Sequence, residues 1–111
     1  GVAEVPNELL AMTVLEPVDN ALLRPETLFR WQPIVGAYAY QLELFNDQAS
    51  DVANDAPLSG AVVPAHDTEL KLSEVVRRHL QEGNAFRWRV VALDERGETI
   101  GVSSLRDLRQ P

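Results

Sequence analysis

The sequence predicts an all-β fold, a sandwich of seven short antiparallel strands with one short helical turn before the sixth. Three observations carry this. Short segments alternate apolar and polar side chains, the period-two signature of strands with one buried face. Turn residues punctuate these segments at roughly regular spacing. The chain has 111 residues, 45% of them hydrophobic and 24% charged, enough for one core without disulfide or metal staples.

Residues Gly1 to Glu8 are small or polar and read as a linker. Leu9 to Leu15 reads as the first strand, stopped by Glu16-Pro17. Asp19-Asn20 and Arg24-Pro25-Glu26 carry turn chemistry. Thr27 to Trp31 is the second strand, with Phe29 and Trp31 on one face and Leu28 and Arg30 on the other. Pro33 ends it, since proline cannot donate to a ladder, and Gly36 follows in the turn. Tyr38 to Phe45 is the third strand. Tyr38, Tyr40, Leu42 and Leu44 form its apolar face, and Gln41 and Glu43 lie opposite. Asn46 to Gly60 reads as a long polar connection, Ala61-Val62-Val63 as a short edge strand stopped by Pro64, and Thr68 to Leu72 as the fifth strand.

Ser73 to Leu80 breaks the alternation and reads as a helical turn. Ser73 is the N-cap, and Glu74 sits in the first turn, where the helix dipole favours an acid. Val76 and Leu80 share a face, and Gly83 or Asn84 supplies a left-handed C-terminal position. Phe86 to Leu93 is the sixth strand, with Phe86, Trp88, Val90 and Ala92 facing one way. Asp94 to Glu98 is a hairpin connection with Gly97 left-handed. Thr99 to Leu105 returns as the seventh strand, and the chain from Arg106 reads as an outgoing linker. The domain is placed over residues 9–108, with 1–8 before it and 109–111 as its tail.

These faces predict one core: Phe29, Trp31, Tyr40, Leu42, Leu44, Leu70, Leu72, Leu80, Phe86, Trp88, Val90, Ala92, Ile100 and Val102. On the opposite face, Arg87 and Arg89 are expected to pair with Glu43. Val91 and Leu93 are expected to form a small apolar docking patch with Ala39, with Thr99 and Gly101 on their other side.

The net charge is −7, with a single lysine. A nucleic-acid binder needs a positive surface, and an anionic membrane repels a chain like this one. With no cysteine, disulfides, thiolate zinc sites and cysteine nucleophiles are excluded. No run of 18 apolar residues exists to span a membrane, and no secretory signal is visible. The chain opens Gly-Val and reads as an excised or processed piece.

Candidate chemistry is sparse. His66 beside Asp67 suggests a base held by a carboxylate, but neighbouring strand residues point to opposite faces, which favours a plain loop histidine. His79 follows Arg77 and Arg78, cations that disfavour a metal there. Asp47, Asp51 and Asp55 recur every four residues, whereas a calcium loop needs alternate ligands and a sharp glycine turn. Ser103-Ser104 lacks a nucleophile-elbow setting, and Glu95 and Glu98 lie on a hairpin tip without a cleft. Trp31 and Trp88 could stack on a sugar, but both sit on apolar strand faces, which favours core packing. No catalytic, cofactor or metal residue is assigned.

Trp31-Gln32-Pro33, Gly36-Ala37 and Tyr40-Gln41-Leu42-Glu43-Leu44 resemble the second and third strands of fibronectin type III domains. Leu80, Gly83, Phe86 to Asp94, Gly97 and Ser103 resemble that family's sixth and seventh strands. The resemblance covers about Leu9 to Leu108 and is closest to divergent bacterial versions in exported or membrane-anchored proteins. Phe86 stands where the family usually has a tyrosine, so the hydroxyl of the tyrosine corner is missing. The segments Asn46 to Gly60 and Ser73 to Glu82 look longer than usual. The resemblance implies an immunoglobulin-like sandwich that serves adhesion, spacing or docking and brings no catalytic residues. The expected function is a non-catalytic interaction or spacer module of a larger extracytoplasmic bacterial protein, at the periplasm or cell surface. Its partners would be other domains of that protein or a separate protein. The alternative is a small-ligand or carbohydrate-binding sandwich.

Overall fold

The computed structural model describes residues 9–46, 57, 59–80 and 85–110. In chain order its strands are β1 (Leu10–Met12), β2 (Val14–Glu16), β3 (Ala21–Leu22), β4 (Leu28–Trp31), β5 (Ala39–Asn46), β6 (Ser59–Pro64), β7 (Glu69–Lys71), β8 (Ala85–Leu93), β9 (Thr99–Ser103) and β10 (Arg106–Arg109). The helix α1 (Glu74–His79) precedes β8. Ser73 caps it as expected, its Oγ accepting from the Val76 N–H. The helix ends on Leu80 in extended conformation; Gly83 and Asn84, read as left-handed C-terminal positions, lie outside the described residues. The stretches read as the N-terminal linker and as most of the 46–60 connection also lie outside the described residues.

Alternating side chains along β8 make it the spine of the larger sheet. It pairs antiparallel with β5 on one side and with β9 and β10 on the other, and β6 extends the sheet beyond β5. The smaller sheet has the order β2-β4-β7. Phe29 and Trp31 of β4 enter the core against Trp88 and Tyr40. The Phe29 and Trp88 rings meet edge to face at 5.0 Å, and Trp31 and Tyr40 at 5.5 Å, geometry favoured by the ring quadrupoles. The Tyr40 hydroxyl accepts from the Ile34 N–H at 3.1 Å, which ties the β4–β5 connection to the core.

The sandwich expected from the sequence is present, with differences at its edges. The first strand splits at Thr13: β1 joins the larger sheet beside β9, and β2 joins the smaller sheet beside β4. Crossing between sheets lets Met12 and Val14 both enter the core. The pairs β1–β9 and β3–β10 are parallel, so the ladders are not all antiparallel. Arg106 to Arg109, read as an outgoing linker, is strand β10, and its Leu108 lies in the core opposite Phe86. The seventh strand is thus interrupted rather than ended. At the break, the Ser103 hydroxyl accepts from the Val90 N–H at 2.9 Å and replaces a lost ladder bond.

The core assignments hold except at one bulge. Leu93 pairs with Thr99 and Ala92 with Gly101, which leaves Ile100 unopposed. Ile100 packs at the core margin, but Val102 pairs with Val91 on the outer face instead of entering the core. Gly101 takes the inward position. A Cβ there would stand 2.6 Å from Ile34 Cδ1 and 3.3 Å from Met12 Cγ, so only glycine leaves those side chains their space.

Candidate functional site

The face of the larger sheet turned away from the core carries the surface that the sequence singles out. Ladder registers fix its rows. Across the middle run Val62, Gln41, Val91, Val102 and Ala11, and toward the β8–β9 hairpin run Pro64, Ala39, Leu93 and Thr99. Ala39 pairs directly with Leu93, as expected, and both are half-buried. Val91 differs from expectation. It is 5% exposed, yet stands apart from the core cluster. Its outer neighbour is Val102 rather than Gly101, the consequence of the bulge at Ile100.

Leu9, Gln41, Val91, Leu93, Thr99 and Val102 line a shallow depression here, bordered by Glu43 and Arg89. Sequence reasoning missed Val102 and Leu9. Counting by twos through a bulge loses Val102, and nothing in the local pattern points Leu9 toward this face.

Below the apolar rows the face is charged and largely self-satisfied. Arg89 Nε donates to Glu43 Oε1 at 2.8 Å, the pairing expected across the ladder. The same guanidinium lies 5.3 Å from the Phe45 ring centroid, and Phe45, outward-facing by register, is only 1% exposed. Arg87 does not reach Glu43. It meets Asp107 of β10 at 3.7 Å, a strand absent from the sequence reading.

The other candidates have structural places. His66 Nε2 lies 3.7 Å from Asp67 Oδ1 on an exposed turn, so the two side chains do approach each other, unlike the expectation for a strand. Asp94 Oδ1 accepts from the Arg96 and Glu98 N–H groups and shapes the hairpin, where Gly97 has φ +80. Glu98 pairs with Arg96 at 3.2 Å. Trp31 and Trp88 are core residues, 2% and 0% exposed. Tyr38, placed on the inner face by its spacing, is 62% exposed and lies just before β5. Among the described residues no group of three histidine, aspartate or glutamate side chains could hold a metal ion. Asp47, Asp51 and Asp55 lie outside the described residues.

No known protein family matches the chain. No curated protein matches it either. Among solved structures it is similar to an Fn3-like protein from Clostridium thermocellum, at 12% identity and a TM-score of 0.53. The likeness spans 95% of this chain and 94% of that one. At that identity it shows fold alone, and the fold is a fibronectin type III-like β-sandwich.

Proposed function

We propose that this domain is a non-catalytic interaction or spacer module of a larger, extracytoplasmic bacterial protein, and that it docks a neighbouring domain or protein through Ala39, Val91 and Leu93. The carrying observation is the outer face of β5, β8 and β9, where ladder-paired Ala39 and Leu93 flank Val91 and Val102 on the side away from the core. A sheet face with apolar rows and a polar border suits a partner surface. The bacterial, exported setting rests on the sequence resemblance. The solved domain with the same fold is itself bacterial.

Since this domain has no cysteine, Leu93→Cys gives the one attachment point for a photo-crosslinker within it, in a longer protein whose other cysteines are replaced. The reading expects crosslinks from residue 93 to an adjoining domain or partner, and none from Lys71→Cys on the smaller sheet. Equal yields from both positions, or none from residue 93, would overturn it.

A further inference from the structure

Near the start of β8, Phe86 is 3% exposed and packs in the core. In the sandwiches this chain resembles, a tyrosine near this position turns its hydroxyl back to backbone a few residues upstream and fastens the corner before the strand. Phe86 has no hydroxyl to do this. A few residues upstream lies the end of α1. There the carbonyls of Arg77 and Leu80 accept from one side-chain amide, Gln110 Nε2, at 3.0 and 3.3 Å. Helix ends leave carbonyls that need such partners. None of the six residues of α1 is fully buried. Its hold on the core comes from Val76 at the margin and from Leu80, the buried residue that follows it, so hydrogen bonds at this end matter.

Register explains how a residue from the other end of the domain reaches α1. Strand β10 runs antiparallel to β8, with Arg106 opposite Trp88 and Leu108 opposite Phe86. Gln110 shares the parity of Arg106 and Leu108, which turns it to the side where Leu108 and Phe86 are buried. The backbone beside it is held as well. Leu23 N–H donates to Arg109 O at 2.7 Å, and Arg109 Nε donates to Asn20 Oδ1 at 3.1 Å.

We infer that Gln110 is a latch that takes over the work of the missing tyrosine corner. A glutamine amide has two hydrogens to donate, and both are spent on the end of α1. The replacement has a consequence that a tyrosine on β8 would not have. The tie comes from the end of β10, so the order of α1 is coupled to the path of the chain leaving β10. Displacing residue 110 loosens α1, and loosening α1 frees residue 110, since such coupling is reciprocal. The latch lies away from the Leu93 face and stands or falls separately from it.

The test is amide hydrogen exchange on the 15N-labelled full chain. The reporter is the Leu80 N–H, which closes the helix onto the Val76 and Arg77 carbonyls. Gln110→Glu keeps the side chain's shape and sets a carboxylate against two carbonyl oxygens. Leu80 exchange should quicken about tenfold, the weight of one or two ordinary hydrogen bonds, while the amides of β5 keep their rates. Gln110→Ala should act alike, which separates the lost donor from the added charge. Phe86→Tyr returns the phenol, and in that background Gln110→Glu should quicken Leu80 by no more than about threefold, because the two ties then share the load. Unchanged Leu80 exchange in both Gln110 variants, or quickening confined to residues 106–110, would overturn the latch. A Phe86→Tyr chain that loses its fold, or that keeps the full tenfold effect, would show that Gln110 does not stand in for the tyrosine corner.

Discussion

Trp88 shows how much one side chain decides. It is 0% exposed, meets Phe29 edge to face, and alternates with Arg87 and Arg89, which point out to pair with Asp107 and Glu43. Trp88→Ala removes the centre of the core, and such truncations cost about 3–5 kcal/mol. Urea unfolding measures this directly. A loss below about 1 kcal/mol, as for a surface substitution, would mean that the two faces of β8 are assigned the wrong way round. Val91 carries the contrasting lesson. Its parity places it outside the core cluster, yet it has almost no exposure. A buried carboxylate without a partner costs several kcal/mol, so Val91→Glu cannot separate docking from folding. Leu93 and Ala39, both half-buried, can.

At the scale of elements, β10 closes the edge that the sequence leaves open. Arg106 faces inward opposite Trp88, and its guanidinium donates to the carbonyls of Pro17 at 2.7 Å and Val14 at 3.0 Å. It therefore clamps β2 of the smaller sheet to β10 of the larger. Charge-assisted hydrogen bonds contribute about 1.5–3 kcal/mol, so Arg106→Met should lose stability in that range. Hydrogen exchange should quicken first around Val14 to Glu16 and spare β5. Uniform quickening across both sheets, or no change, would show that Arg106 is not the clamp. The long alternating strands β4, β5 and β8 were legible because a face of period two repeats over several residues and needs no knowledge of partners. The short edge strands were not. Arg-Asp-Leu-Arg at 106–109 reads as polar tail until its pairing with β8 supplies the burial of Leu108, and the bulge at Ile100 has no local mark except the glycine beside it. For the same reason Ala39 and Leu93 could be placed from sequence as a pair, while the place of Val102 depended on the bulge.

At the scale of the whole molecule, the larger sheet divides its work between two faces. One closes over the tryptophans and holds the fold. The other carries Ala39, Leu93 and Val102, half-buried, and is the face proposed to dock a partner. Two positions on β8 separate these roles with the same chemistry. Val90 is 0% exposed in the core cluster, and Leu93, three residues on, lies half-buried on the outer face. The most direct measurement is therefore the unfolding free energy of Leu93→Glu beside that of Val90→Glu, under the same conditions. The two-face account predicts a change within about 1 kcal/mol for Leu93→Glu. For Val90→Glu it predicts a loss above about 4 kcal/mol, from burying a charge without a partner. Equal losses at the two positions would contradict it, because the outer face would then belong to the core and would not be available for docking.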